Sequence, residues 1–379
     1  MTATRPLRIL AIEPYFGLSH RTFLEGYRRY SRHQVELWTL PPRKWKWRMR
    51  GSAYHFAERA RAVDARVGAD VVLTSDFLNL PDWRALAPRR FGDLPAVVYF
   101  HENQITYPLG QHAPVDFHYG WINVSTALAA DRLLFNSQYH REGFFASVRN
   151  VFQRMPDHIP QSLIEALPSR SAVFPVGVDF APHEAVRSRS PGRAGAMPRI
   201  LWNHRWEYDK GPELFFDTMV RLKEEGVGFK LVVCGQSFKN QPAVFARAKQ
   251  ALGDRIEHYG FFADPLEYYE AVCRCDHVVS TAIHEFFGVS VIEAIFLGCL
   301  PILPKRLSYP EIVPVHLHPF FLYPRDEDLK DFLREALEGA RAEYRGDMQE
   351  SMERFHWRTL APLLDREMEE AVEYRGSGG

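Results

Sequence analysis

The chain has 379 residues, 46% hydrophobic and 25% charged, with 47 Lys and Arg against 47 Asp and Glu. That is the balance of a soluble globular protein, long enough for two domains. The longest apolar stretch, VSVIEAIFLGCLPILP, is broken by Glu293 and two prolines, which excludes a membrane span, and the four cysteines (Cys234, Cys273, Cys275, Cys299) match neither a disulfide framework nor a zinc site. They read as reduced core thiols in a cytoplasmic protein.

The N-terminal run LRILAIEP reads as a first strand rather than a signal peptide. SHRTFLEGYRRYSR then has helical spacing, and VELWTL reads as a strand. DVVLTSD, PAVVYFHEN and DRLLFNS are further strands, each ending in polar residues. Such alternation predicts a parallel, doubly wound sheet, whose ligands bind beyond the carboxyl ends of the strands. Glu13, Gly17, Ser75, Asp76, His101, Glu102, Asn103, Asn136 and Ser137 fall there. Residues 181–198, APHEAVRSRSPGRAGAMP, have no apolar period and read as a linker. After it the alternation restarts with RILWNHR, then PELFFDTMVRLKEEG as a helix begun by Pro212 and stopped by Gly226. FKLVVCGQ, RIEHYGF, HVVSTA and LPILP are the remaining strands of a second sheet. FLREALEGARAEY and RTLAPLLDREMEEAVEYR read as two long amphipathic helices, and RGSGG as a disordered tail. The expected division is residues 1–180, linker 181–198, residues 199–350, and a final helix with its tail at 351–379.

Charge is uneven along the chain. Residues 1–180 hold 22 Lys and Arg against 16 Asp and Glu, and the rest 25 against 31. This suits a polyanionic partner for the first half, and it equally suits ordinary surface variation. The segment PPRKWKWRMR concentrates the excess in Arg43, Lys44, Lys46 and Arg48. Two readings stand: cations on RNA phosphates with indoles on bases, or an amphipathic segment with core tryptophans. Arg28, Arg29 and Arg32 extend the patch or form a solvated helix face.

Two carboxylates, Glu285 and Glu293, flank the apolar segment HEFFGVSVIEA. A helix starting near Gly288 would offer unpaired N–H groups to a phosphate. Eight helical residues span about 12 Å, too far for a shared proton or metal. That separation suits two hydroxyl-bearing ends of one ligand with its diphosphate between them, as in a sugar nucleotide. Arg205 and Lys210, in NHRWEYDKGPE, supply cations for a diphosphate, or pair with their neighbours Glu207 and Asp209. His101, His112 and His118 fit no zinc spacing, and Asp326-Glu327-Asp328 complements a helix dipole rather than holding a metal.

Together the E-x7-E segment, the Arg205/Lys210 loop, PVGVD at 175–179 and FNS at 135–137 resemble the retaining GT-B glycosyltransferases of the GT4 type. FGLSH at 16–20, LPPRKWKWRMRGSA at 40–53, YFHENQITYP at 99–108 and WNHRWEYDKGPE at 202–213 resemble, more narrowly, the tRNA-queuosine mannosyltransferase family. The resemblance implies two Rossmann-like domains facing a cleft, final helices crossing back to the N-terminal domain, and closure that brings Gly17 and His101 onto the donor. It implies GDP-mannose as donor, queuosine in a tRNA anticodon as acceptor, no metal or other cofactor, and no stable membrane association. By position, Glu285 would hold the transferred sugar and Glu293 the ribose. Arg205, Lys210 and the N–H groups of Phe287, Gly288 and Val289 would bind the diphosphate. Gly17 would approach the phosphates and His101 the reacting sugar carbon, with Glu102 and Asn103 on the acceptor side. The alternatives are a GT-B enzyme with a small-molecule or lipid-linked acceptor, and a non-catalytic sugar-nucleotide or RNA-binding protein.

Overall fold

A computed structural model describes residues 5–64, 66–107, 117–189, 197–237, 241–339 and 341–376. The chain divides into two units, the first formed by Met1–Val178 with Phe355–Gly379 and the second by Asp179–Arg354.

In the first unit, strands β1 (Arg8–Glu13), β2 (Gln34–Thr39), β3 (Val71–Ser75), β4 (Ala96–Phe100), β5 (Arg132–Phe135) and β6 (Ser171–Val173) form one sheet in the order β2-β1-β3-β4-β5-β6. Every pairing is parallel. β3 and β4 are buried along their whole length, because helices cover both faces of a parallel sheet and leave no polar side to alternate with. Strand order reverses at β1, which has β2 on one side and β3 on the other. The carboxyl ends of β1 and β3 are therefore a switch point, where a doubly wound sheet opens a crevice for ligands.

The second unit repeats the plan. β7 (Arg199–Asn203), β8 (Lys230–Cys234), β9 (Ile256–Gly260), β10 (His277–Val279), β11 (Leu300–Pro304) and β12 (Leu322–Tyr323) run in the order β12-β11-β10-β7-β8-β9, all parallel. The reversal here lies between β7 and β10. All four cysteines are buried as free thiols.

The expected strands are all present. β6 and β12, three and two residues long, are too short to show a pattern in sequence. Three expectations are corrected. Ala181–Arg187, inside the expected linker, is a helix started by Pro182 in its first turn; His183 and Val186 give it a buried face, and residues 190–196 lie outside the described chain. FLREALEGARAEY is not one helix: Leu329–Leu337 stops before Gly339, whose φ of 88° is left-handed. The final helix runs through Gly376, so Arg375 and Gly376 are not tail, while residues 377–379 lie outside the described chain.

The final helix, Trp357–Gly376, belongs to the first unit and packs on helix α1 (Leu18–Tyr30). Its fully buried Trp357 fills the space left by two glycines. A Cβ would stand 2.0 Å from that indole at Gly26 and 2.3 Å from it at Gly177. Asp365, also buried, accepts hydrogen bonds from the Tyr27 hydroxyl (2.8 Å), the Ser31 hydroxyl (2.6 Å) and the Arg32 N–H (3.1 Å). Among the described residues no helix is long and apolar enough to cross a membrane.

Candidate active site

In the second unit, the segments after β7 and β10 meet at the switch point. Lys210 is buried at the end of a short turn of helix, Tyr208–Lys210. Its Nζ donates to the His284 carbonyl (2.8 Å) and lies 3.2 Å from both Glu285 Oε2 and Asp209 Oδ2. The backbone locks the two segments together: Ile283 and His284 donate their N–H groups to the Asp209 carbonyl, and the Thr281 hydroxyl donates to the Lys210 carbonyl. Gly211 follows at φ 60°, with a Cβ there 2.2 Å from the Thr281 carbonyl oxygen. Only glycine fits that approach, and Pro212 then starts the next helix.

The electrostatics follow from this packing. Burial works to raise the Glu285 carboxyl, but Lys210, with His204 and the Phe287 N–H, outweighs it and holds Glu285 below the usual carboxylate range. Burial and the Lys210 charge push both His204 and His284 down to about 4. The site therefore carries one buried ammonium, ionised Glu285 and two neutral imidazoles. Arg205 is less enclosed and pairs with Glu207 at 3.1 Å.

The helix Val289–Phe296 begins at Gly288, whose φ of 102° is left-handed. The Ser308 hydroxyl donates to the Phe287 carbonyl (2.8 Å) and fixes the approach. Val289 and Ser290 open the helix, where N–H groups have no carbonyl one turn earlier. Glu293 stands one turn in, partly exposed, with His183 Nε2 at 3.5 Å from its Oε1. The His183 ring packs on Tyr269 at 4.0 Å. Asn203, ending β7, donates to the Tyr268 hydroxyl and the Ser290 carbonyl, both at 2.9 Å.

In the first unit, the ends of β1, β3 and β4 assemble a buried polar cluster. Glu13 accepts from the Tyr15 N–H (2.8 Å), the Ser75 hydroxyl (3.0 Å) and His20 Nδ1 (3.1 Å). The His20 and His101 rings stack with centroids 3.9 Å apart. Burial disfavours charge on His20, but Glu13, joined by Asp76 and Glu102, raises it to about 8. His101 goes the opposite way: burial, then the charge of His20 and the neighbouring His140, hold it well below the usual imidazole range. Its backbone is fixed at both ends, its N–H donating to Asp76 Oδ1 (2.9 Å) and its carbonyl accepting from Asn136 Nδ2 (2.8 Å). Burial, then Glu102, push Asp76 well above the usual carboxylate range, and its buried Oδ2 has no hydrogen-bond partner among the described residues. Glu13, His20 and His101 offer ligand atoms within 4.8 Å of one another. With the rings face to face, their in-plane lone pairs run side by side rather than converge, which suits a charged pair under a neutral ring better than a shared cation.

The predicted residues thus fall into three groups. Lys210, Glu285, Phe287, Gly288, Val289 and Glu293 lie at the second switch point, with Arg205 on its rim. Gly17 and His101 lie at the first; Gly17 packs against Pro42, and its N–H donates to the Tyr15 carbonyl. Glu102 is partly exposed and accepts from Gln104 Nε2 (3.0 Å). Asn103 departs from its expected place facing an acceptor: it is fully buried, and its Oδ1 accepts from Ile105, Thr106 and the Thr106 hydroxyl, closing a turn. The third group, Arg43, Lys44, Lys46 and Arg48, surrounds the start of helix α2 (Trp45–Ala62), which Lys44 caps at φ 57°. The core-tryptophan reading of this segment holds for one of its two indoles. Trp45 packs on Tyr119 (5.0 Å), while Trp47 is exposed. Arg32 pairs with Glu369 on the final helix. His112 lies outside the described residues. Sequence reasoning placed Asp76 at a ligand-facing strand end but missed His20 and His183.

Comparison with known proteins agrees with this architecture. Residues 8–178 match the family described as tRNA-queuosine alpha-mannosyltransferase N-terminal, and 187–355 match glycosyl transferases group 1. A tRNA-queuosine alpha-mannosyltransferase from Drosophila melanogaster is 36% identical over 323 residues, 83% of each chain. Among solved structures, sucrose-phosphate synthase from Thermosynechococcus elongatus superposes with a TM-score of 0.72 at 14% identity, covering 97% of this chain and 100% of that one. The Anabaena protein HepE in complex with UDP and glucose does so at 0.66 and 15%, covering 96% and 99%. The structural likeness establishes the two-domain GT-B fold. Identity at that level across both units, with the family's own N-terminal domain matched from β1 to Val178, makes the chain a glycosyltransferase that belongs to the tRNA-queuosine alpha-mannosyltransferase family.

Proposed function

We propose that this chain moves mannose from GDP-mannose onto queuosine in a tRNA anticodon, in the cytoplasm, without a metal, and with the configuration at the anomeric carbon retained. The observation that carries the reading is the 36% identity to the Drosophila enzyme over 83% of both chains. The arrangement around Lys210 supports the chemistry. The bond from the anomeric carbon to the diphosphate oxygen breaks, and an acceptor hydroxyl bonds to that carbon on the same face. Its proton passes to the departing diphosphate. Negative charge builds on that leaving group, and a buried ammonium aimed at it stabilises the transition state more than the ground state. Lys210 has that role, with Arg205 and the N–H groups of Phe287, Gly288 and Val289 on the phosphates. Glu285, held ionised, accepts hydrogen bonds from the sugar hydroxyls, and Glu293 from the ribose. His101, neutral and fixed through its backbone, serves the reacting sugar, and Gly17 the phosphates.

The test is a panel of radiolabelled nucleotide sugars offered with queuosine-containing tRNA. Label should enter RNA from GDP-mannose and be released as free mannose by an α-mannosidase, the mark of an α linkage. Label entering from another donor instead, or from none, would overturn the donor assignment.

A further inference from the structure

Helix α2 divides its side chains between two environments. Met49 is buried with Phe77 and Ile122, and Trp45, Tyr15 and Tyr119 pack on that cluster. Phe77 stacks on Tyr15 (5.1 Å) and meets the edge of His20 (5.4 Å). The inward face of α2 therefore rests on the rings that carry the His20–His101 pair.

The outward face is of another kind. Trp47 is 65% exposed and Tyr54 56%. They stand seven positions apart, two turns and about 10 Å along one helix face. Gly51 lies between them, one turn after Trp47. A Cβ on Gly51 would stand 2.8 Å from both Cε2 and Cζ2 of Trp47 and 3.2 Å from Cδ2. The indole thus lies face-on over the glycine backbone and presents its other face to solvent. Burial does not explain the ring, because most of it is open to water. The Tyr54 hydroxyl donates to Asp82 Oδ2 (3.4 Å).

The surroundings specify a ligand of opposite charge. From Leu40 to Ala57 the chain has five Lys and Arg and no Asp or Glu. Arg43, Lys44, Lys46 and Arg50 are exposed. Partial burial, and after it the charge of Arg43, lower Arg48 from its usual range. Lys46 Nζ sits 5.5 Å from the ring centres of both Trp45 and Tyr119, so even this flexible cation is held near the start of the helix.

We propose that Trp47, lying on Gly51 beside Lys44, Lys46 and Arg50, is a stacking platform for an unpaired nucleobase of the RNA acceptor, with those cations on the flanking phosphates. An unpaired base offers a π-face whatever its identity, and stacking on an aromatic ring is a sequence-tolerant source of affinity. This rests on the tRNA reading above and adds to it the place where the loop is gripped.

The experiment titrates the full chain into an anticodon stem-loop RNA with 2-aminopurine in the loop, and into a blunt RNA duplex of equal length. Wild-type protein should quench the 2-aminopurine and prefer the stem-loop. Trp47→Ala should lose about tenfold or more in stem-loop affinity and most of the quench, while its salt slope stays as in wild type, because no charge is removed. Trp47→Phe should recover much of both. Gly51→Ala, which keeps the indole but lifts it from the helix, should weaken binding in the same direction. Lys46→Gln should instead lower the salt slope by about one phosphate contact. Circular dichroism identifies any variant that fails to fold; Trp47→Phe and Gly51→Ala then carry the comparison. If wild type binds neither RNA, the tRNA reading itself fails. If it binds and modifies tRNA while Trp47→Ala matches it in affinity and quench, the platform is overturned and the tRNA reading stands. Binding of wild type to anionic lipid vesicles through Trp47, with RNA affinity indifferent to the substitution, would also overturn it.

Discussion

Lys210 sits within 3.2 Å of two carboxylates, and its removal acts on chemistry and stability together. Lys210→Ala should lower kcat for mannose transfer by about 10²–10³-fold, the usual loss when one preorganised donor to a developing negative charge is removed. It should also lower the melting temperature, since Asp209 and Glu285 would then repel without compensation. A kcat near wild type at saturating donor would remove Lys210 from the mechanism. Glu285→Gln keeps the shape and adds donors where the sugar needs an acceptor; its expected signature is a large fall in kcat/KM in steady-state transfer assays with a nearly unchanged circular dichroism spectrum. Glu285 and Glu293 were legible as carboxylates flanking an apolar segment, and Arg205 and Lys210 as cations in the polar run between a strand and the helix that Pro212 starts. The Glu13–His20–His101 cluster was not. It joins residues 7 and 81 positions apart, and no spacing in a chain signals two imidazoles brought face to face. Asn103 misled for the opposite reason: a polar residue at a strand end also serves to close turns.

At the level of elements, the final helix is held to α1 by few but specific contacts. Asp365 accepts three hydrogen bonds from α1 and the residues after it. Asp365→Ala would leave the buried Tyr27 hydroxyl and two partly exposed donors without this acceptor, and the cost should be about 1–3 kcal/mol, read as a lower urea midpoint at constant m-value. A change below about 0.5 kcal/mol would mean that Trp357, wedged over Gly26 and Gly177, fixes the helix alone. The interior strands were read from sequence because they are buried in parallel sheets, giving unbroken apolar runs, whereas β2 and β9 are only partly buried. The helix Ala181–Arg187 was hidden by composition: its proline lies in the first turn, where proline favours a helix start, and its buried His183 reads as polar. The break at Gly339 has a physical signal, a glycine available for left-handed φ, that an amphipathic pattern on either side outweighs. On α2, Trp45 and Trp47 differ by two positions and so by about 200° around the helix. One is core and the other surface, which composition alone does not separate.

Across the molecule, buried histidines give stability opposite pH dependences: His101 of the first unit is held low like those of the second, whereas His20 is raised. In the second unit His204, His277 and His284 are each pushed down to about 4, chiefly by burial. The unfolded chain binds protons at these groups below about pH 6.5 while the folded chain resists, so their contribution is full above that pH and is lost as pH falls toward 4. In the first unit His20 is raised to about 8. Its contribution is full below about pH 6.5 and is lost as pH rises through 8. The melting temperature from calorimetry should therefore fall on both sides of neutrality. His20→Gln should flatten the stretch between pH 6.5 and 8.5 and leave the acid decline in place. An unaltered alkaline slope in that variant would show that Glu13 and His20 are not a charged pair.

The central claim is that the hydroxyl receiving the sugar belongs to queuosine. One measurement bears on it most directly: incubation of the purified chain with radiolabelled GDP-mannose and two preparations of the same tRNA, one carrying queuosine and one carrying unmodified guanosine at that position. Label incorporated only into the queuosine-containing tRNA, approaching one mannose per molecule, is the expected result. Equal incorporation into both, or none into either while free mannose or another acceptor is labelled, would contradict it.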